Sequence, residues 1–360
     1  MKILQVITTL RIGGAEKLIV DMVPKYQEAG HQVDVLLFDG VETHFTKELI
    51  AKGVRVFSLG INRSVYSPDF IFKLIPIIKK YDIVHTHNSV CQFYVALASM
   101  FLKKSPKLVT TEHNTNNRRR SIPFFKWIDK FMYKRYASII AISNQASINL
   151  KQQIGNIPSI QTIFNGVDLS KYRQASPLLR DEFGAKADDF IMVMVAGFRE
   201  QKDQDTLIKS LSYLPDHFKL WLVGDGERKA GMESFVKEKN LQNRVLFCGI
   251  RADVPQILKT ADVVVMSSHW EGLSLSSIEG MCVGKPFVAS DVDGLHEIVD
   301  GYGILFPHQD EKALAQIMQT LEKDAVYKQN VAEQCGIRAD QFDITKTVDQ
   351  YLKVYNRLVR

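Results

Sequence analysis

The amino-acid sequence predicts an α/β protein made of two doubly wound, parallel-sheet domains. Three observations carry that prediction. Short β-rich runs alternate with helix-length amphipathic runs along the whole chain. Several of those strands are continuous apolar runs, such as Asp262-Val263-Val264-Val265-Met266, the pattern of strands buried on both faces. The alternation pauses once, between Ile163 and about Leu178, and then resumes. A chain of 360 residues suits two domains of ordinary size.

In the first half the predicted strands are Lys2–Ile7, Gln32–Phe38, Val54–Leu59, Asp82–Thr86, Lys107–Thr111 and Ser138–Ile142. In the second half they are Phe190–Ala196, Phe218–Val223, Arg244–Cys248, Asp262–Ser267, Pro286–Ser290 and Gly303–Phe306. Helices between successive strands imply parallel pairing and right-handed crossovers. The turn chemistry of Asn165-Gly166-Val167-Asp168 marks the domain boundary. The expected domains are therefore residues 1–168 and 169–340, followed by a terminal segment, 341–360. In that segment Val348, Tyr351, Leu352, Tyr355 and Leu358 form one helical stripe. Two such domains facing each other would leave a cleft at the carboxyl ends of their strands.

Composition removes several classes. With 46% hydrophobic and 24% charged residues the chain is neither disordered nor fibrous. The longest near-apolar run, Val90 to Leu102, is about one-third too short to span a bilayer. Met1-Lys2-Ile3-Leu4-Gln5-Val6-Ile7 reads as a first strand rather than a secretion signal. Cysteines 91, 248, 282 and 335 have no metal-ligand spacing, so reduced thiols are expected. Residues 1–170 hold 22 basic and 12 acidic side chains, while the remainder hold 24 and 28. A basic first half suggests an anionic partner: a lipid headgroup, a phosphorylated substrate or nucleic acid. An ordinary solubility charge would look the same.

Four segments could carry chemistry. The first strand-to-helix turn, Leu10-Arg11-Ile12-Gly13-Gly14-Ala15-Glu16, lets backbone approach an anion at a helix N-terminus. It is not the dinucleotide fingerprint, and no phosphate-loop lysine motif occurs. The segment His269-Trp270-Glu271-Gly272-Leu273-Ser274-Leu275-Ser276-Ser277-Ile278-Glu279 follows a buried strand and opens a helix. Free N–H groups near Leu273, Ser274 and Leu275 could hold a diphosphate, and Glu279 could accept ribose hydroxyls. Gly197-Phe198-Arg199-Glu200-Gln201-Lys202 brings positive charge to the end of another strand. Without an Asp-x-Asp motif for a metal–diphosphate complex, basic side chains are the economical partners of a leaving diphosphate. Thr111-Glu112-His113-Asn114 puts a histidine at a strand's carboxyl end, as Val84-His85-Thr86-His87 does.

Taken together these segments resemble the family 4 glycosyltransferases of GT-B architecture, over nearly the full chain. Further matching stretches are Leu222-Val223-Gly224-Asp225-Gly226-Glu227-Arg228, Val245-Leu246-Phe247-Cys248-Gly249, Ala261-Asp262-Val263 and Ile278-Glu279-Gly280-Met281. Gly284-Lys285-Pro286-Phe287-Val288-Ala289-Ser290 and Gly294-Leu295-His296-Glu297-Ile298-Val299 complete the set. The resemblance implies retention of anomeric configuration, no metal and no cofactor. The nucleotide-sugar donor, with a UDP-sugar favoured, would be a substrate bound mainly by the second domain. The first domain would bind the acceptor, and the terminal helix would cross back onto it. By position Lys202 would neutralise the diphosphate and Glu271 would contact the transferred sugar. Leu273, Ser274 and Leu275 would offer amides to the phosphates. Glu279 would bind the ribose, backbone near Arg251 would meet the base, Gly14 would approach the phosphates, and His113 would lie by the sugar. One departure stands out: Gly197 occupies a position at which many members carry arginine, and Arg199 is expected to compensate.

The implied activity is retaining hexosyl transfer to a saccharide or lipid-linked acceptor, in polysaccharide or glycolipid synthesis, without nucleic acid. Alternatives are an epimerase or hydrolase on the same fold and a non-catalytic nucleotide-sugar-binding subunit. A nicotinamide dehydrogenase is disfavoured by the first turn. A cytoplasmic protein touching the inner face of an anionic membrane is also an expectation. Arg118-Arg119-Arg120 and the basic, aromatic run Phe124 to Tyr136 suggest that contact. The same aromatics could instead pack on the first sheet.

Overall fold

The computed structural model describes every residue except 12, 62, 114–122, 156 and 158, and only the backbone at 123–127. The chain divides into two units. One comprises Met1–Gly166 and Ile344–Arg360, the other Val167–Asp343.

The first unit holds a seven-stranded parallel sheet. Its strands are β1 (Lys2–Ile7), β2 (Gln32–Leu37), β3 (Arg55–Ser58), β4 (Ile83–Thr86), β5 (Lys107–Glu112), β6 (Ser138–Ala141) and β7 (Ile160–Thr162). Their spatial order is β3-β2-β1-β4-β5-β6-β7. The central strands are buried nearly throughout, as their apolar runs require. Side-chain caps start the helices that follow the sequence's turn signals. Thr43, Asn88 and Ser143 each accept a backbone N–H three residues on.

The terminal helix, Ile344–Val359, belongs to this first unit. Val348, Tyr351 and Tyr355 of its predicted stripe are buried, and Leu352 and Leu358 pack at the edge. It lies on the helix Gly14–Glu28, with the Tyr26 and Tyr355 rings 5.9 Å apart. Gly166 lets the chain enter this packing. A Cβ there would lie 2.8 Å from Ile344 Cα and 2.5 Å from Thr347 Oγ1. The helix Pro123–Tyr133 forms where the basic aromatic run predicts it. Met132 and Tyr133 face the core, whereas Phe131 is 43% exposed. Arg118, Arg119 and Arg120 lie outside the described residues.

The second unit holds a six-stranded parallel sheet of order β10-β9-β8-β11-β12-β13. Its strands are β8 (Phe190–Val195), β9 (Phe218–Val223), β10 (Val245–Gly249), β11 (Val263–Met266), β12 (Phe287–Ser290) and β13 (Ile304–Phe306). Helix Leu275–Met281 packs on this sheet through Gly280. A Cβ there would sit 2.7 Å from Val264 Cγ1 and 2.9 Å from the Phe287 ring. The four cysteines are free thiols. No helix among the described residues is long and apolar enough to cross a membrane.

Candidate functional site

Each sheet reverses its winding direction once. In the second unit the reversal falls between β8 and β11, which are neighbours in the sheet. The loops leaving a parallel sheet at such a point diverge and expose backbone and side chains for a ligand. Lys202 lies in the loop after β8 and Glu271 in the loop after β11. Their side chains meet, with Lys202 Nζ 2.5 Å from Glu271 Oε1. Lys202 keeps 17% of its side chain exposed, and Glu271 only 6%.

The two loops are tied together by short polar contacts. Ser268 Oγ donates to Glu271 Oε1 at 2.6 Å. Gln201 Nε2 donates to the Trp270 carbonyl at 2.7 Å. Ser267 Oγ donates to the Asp203 carbonyl at 2.7 Å, and the His269 N–H to the Gln201 carbonyl at 2.8 Å. From β12, Ser290 Oγ donates to the Ser268 carbonyl at 2.6 Å. Asp203 adopts φ 46° and caps the next helix through Thr206. Glu271 is pinned from behind as well: its N–H donates to Asp293, and at Gly294 (φ +84°) a Cβ would collide with its carbonyl. Only glycine suits that conformation and approach.

Ser274 caps helix Leu275–Met281 by accepting the Ser277 N–H at 3.3 Å. Leu273, Ser274 and Leu275 thus stand at the mouth of this short helix, and Glu279 lies buried one turn within it. Arg199 is exposed, and its guanidinium makes no ion pair among the described residues. A Cβ on Gly197 would lie 3.9 Å from Arg199 Nε. The Arg199 guanidinium therefore reaches the space that a longer side chain at Gly197 would enter. Arg251 is drawn to Asp253 in a paired contact of 2.8 and 2.6 Å, over the Phe183 ring.

The first unit reverses between β1 and β4. Gly14 opens the helix after β1, and a Cβ on it would meet nothing within 4 Å. Beside it the Glu16 carboxylate folds over Gly13, and burial raises its pKa. After β4 and β5 stand His87 and His113, with His87 Nδ1 3.0 Å from His113 Nε2. Burial pushes His113 down to about 4 and holds His85 and His87 well below the ordinary histidine range. All three are neutral near pH 7.

Sequence reasoning named Lys202, Glu271, Leu273, Ser274, Leu275, Glu279 and Arg199, and these gather at the exits of β8 and β11. Arg251 follows β10, away from that junction in the sheet order. Ser267, Ser268, Gln201, Ser290 and Gly294 were not singled out. Gln201, Ser290 and Gly294 fall within stretches quoted above, whereas Ser267 and Ser268 show only as small polar residues where a buried strand ends. Asp203, His269 and His308 also converge, with ligand atoms within 4.8 Å of one another. His269 Nδ1 and His308 Nε2 share a 2.8 Å hydrogen bond.

Comparison with known proteins bears on the family and the fold. Residues 176–342 match the family described as Glycosyl transferases group 1, and residues 12–171 match Glycosyltransferase Family 4. One relative is an Escherichia coli enzyme named UDP-Gal:alpha-D-GlcNAc-diphosphoundecaprenol alpha-1,3-galactosyltransferase. It is 29% identical over 299 residues, covering 78% of this chain and 76% of its own. Another, the O-antigen biosynthesis glycosyltransferase WclY of E. coli, is 23% identical over 79% of this chain and 81% of its own. Among solved structures, HepE of Anabaena in complex with UDP superimposes with a TM-score of 0.85 at 25% identity. The match covers 99% of this chain and 100% of that one, and HepE with UDP-glucose matches equally.

Proposed function

We propose that this chain, which belongs to the group 1 glycosyltransferases of family 4 and has the GT-B fold, is a retaining hexosyltransferase acting on a UDP-sugar. The observation that carries this reading is the meeting of Lys202 and Glu271 at the winding reversal of the second sheet. A cation beside a hydroxyl-binding carboxylate is what a nucleotide-diphosphate sugar presents chemistry for. Lys202 would take the growing negative charge on the diphosphate as the glycosidic bond breaks. Glu271, held by Ser268, would accept hydroxyls of the transferred sugar. Leu273, Ser274 and Leu275 would offer backbone N–H groups to the phosphates, and Glu279 would receive the ribose. Arg199 would add charge where Gly197 leaves room. Backbone near Arg251 would meet the base. In the first unit Gly14 would approach a phosphate and His113 a sugar hydroxyl.

In this reading no side chain serves as a covalent nucleophile, so the leaving phosphate would take the acceptor's proton as the new bond forms on the same face. HepE was solved with UDP and with UDP-glucose, which supports uridine as the base. The diphosphoundecaprenol acceptor named for the E. coli relative supports a lipid-linked acceptor.

A cytoplasmic enzyme using such an acceptor would work at the inner membrane face. The first unit has a surface that suits contact with anionic lipid. The Phe72 and Phe101 rings lie 6.2 Å apart while 67% and 63% exposed. Between Asp82 and Glu112 the chain carries Lys103, Lys104 and Lys107 and no acidic residue. A thermal-shift series with UDP-, GDP- and ADP-sugars tests the donor assignment. A UDP-sugar at about one hundred times its Kd should stabilise the protein by about 2.7 kcal/mol. Stabilisation by a GDP- or ADP-sugar alone would overturn the uridine choice, and none by any of the three would overturn the donor reading.

A further inference from the structure

One hydrogen-bonded chain in the first unit runs from the terminal helix to His113. Tyr355 Oη lies 2.6 Å from His85 Nδ1 and 3.4 Å from Gln5 Nε2, which donates to it. Gln5 Oε1 lies 2.6 Å from His87 Nε2. His87 Nδ1 lies 3.0 Å from His113 Nε2. There the chain stops: His113 Nδ1 is buried and has no hydrogen-bond partner among the described residues. Gln5 sits inside β1 with no exposure, and His87 is 1% exposed.

Proton placement along this chain is constrained. An amide oxygen can only accept, so the His87 Nε2 must carry the proton. A neutral imidazole has one donor and one acceptor, so His87 Nδ1 must accept. The donor facing it is then His113 Nε2–H. With that nitrogen protonated, His113 Nδ1 bears a bare lone pair. Two stacked constraints, the Gln5 amide and the neutrality of the two rings, fix the state of the third group.

We infer that Gln5 and His87 are positioning residues that hold His113 as the Nε2–H tautomer, with Nδ1 presented as an acceptor for a substrate hydroxyl. An ionised carboxylate is excluded as the partner of that nitrogen, because both groups would be acceptors. The hydroxyl assignment rests on the transferase reading above, whereas the tautomer assignment does not. At the far end of the chain Tyr355 Oη accepts the Gln5 N–H.

Long-range proton–nitrogen correlation spectra of ¹⁵N-histidine-labelled protein test this without any substrate. Resonances are assigned by their loss in His113→Gln and His87→Gln. At neutral pH His113 is expected to show a non-protonated Nδ1 and a protonated Nε2. Gln5→Met removes the acceptor at nearly constant volume and should convert His113 to the other tautomer or to a mixture. Gln5→Glu sets a carboxylate against His87, favours the imidazolium with both nitrogens protonated, and should likewise move the His113 proton to Nδ1. A His113 protonated at Nδ1 in the wild type overturns the inference, as does an unchanged His113 in Gln5→Met. If Gln5→Met fails to fold, the wild-type and Gln5→Glu spectra decide. In transfer assays Gln5→Met should lower kcat/KM about tenfold, the scale of one lost hydrogen bond. If the spectra behave as expected but kcat/KM does not move, the tautomer stands and the hydroxyl contact falls.

Discussion

Lowering the pH should weaken the first unit through its three buried histidines. Each is easier to protonate in the unfolded chain, where an unperturbed imidazole titrates near 6.5. Burial depresses the folded values: His113 is pushed down to about 4, and His85 and His87 lie well below 6.5. A depressed histidine contributes its full stability above the unfolded value. That contribution is lost as pH falls below 6.5, because the unfolded state binds the proton first. For His113 at pH 5 the unfolded ring is almost wholly charged while the folded ring stays neutral. The difference is about 2 kcal/mol relative to pH 7. The same figure bounds His85 and His87 at that pH, because only the unfolded chain titrates there. Together the three cost up to about 6 kcal/mol, comparable to the whole stability of a small domain.

The assay has two parts. Imidazole resonances followed from pH 8 to 4 should show no titration above pH 5 for these three. His296, exposed and hydrogen-bonded to Asp291, should titrate above 6.5 in the same spectra. Urea unfolding should then show the first unit losing stability between pH 7 and pH 5. A midpoint that is flat over that interval, or any of the three rings titrating near 6.5, would refute the reasoning. It would mean that water or a counter-charge reaches the cluster.

Lys202→Ala should cost about 10²–10³ in turnover with a smaller loss of donor affinity, and unchanged turnover in steady-state assays would remove Lys202 from the mechanism. Glu279→Gln should weaken binding of UDP alone and Glu271→Gln only that of the intact donor. Calorimetry with both ligands separates them, and equal losses would sink the split between ribose and sugar. Gly280→Ala should destabilise by about 1–3 kcal/mol in urea unfolding through overpacking against Val264 and Phe287, although alanine ordinarily favours a helix. A more stable variant would show that this contact is loose. The protein should co-sediment with anionic vesicles at low salt and release as salt rises. Phe72→Ser with Phe101→Ser should abolish that binding, and retention by the double variant would exclude this surface.

The sheets were legible because parallel strands buried on both faces leave apolar runs that survive in any context. β8 and β11 are such runs, and their exits carry Lys202 and Glu271. β7 was missed for the opposite reason. Ile160-Gln161-Thr162 has a single large apolar residue, and none of the three is fully buried. Arg199 stood out as charge at a strand end and as a departure from a pattern, and geometry is what relates it to Gly197. The serines that fasten the two loops could not be read in advance. A serine after a strand looks the same whether its hydroxyl meets water or a carbonyl from a distant loop. Gln5 is a sharper case. In sequence it is an interruption of an apolar strand, and its meaning depends on two partners, His87 and Tyr355, the second 350 residues away.

The ion pair between Lys202 and Glu271 bears on how the proposed donor would enter. Lys202 and Glu271 are mostly buried and satisfy each other. Separating them into low dielectric would leave two costly charges. A nucleotide-diphosphate sugar offers each a replacement: an anion for Lys202 and hydroxyl donors for Glu271. In the proposed reaction the entering ligand exchanges one set of partners for another, so the ion pair is a stand-in and not a barrier. The fastenings decide which side chain moves. Glu271 is held by Ser268 and by its own backbone bond to Asp293. Lys202 is a longer and more flexible side chain with no second contact fixing its Nζ among the described residues. In that reading Glu271 would stay as the fixed edge of the sugar pocket. Lys202 would swing towards phosphate, and its gain in charge pairing would grow as the bond to the sugar breaks.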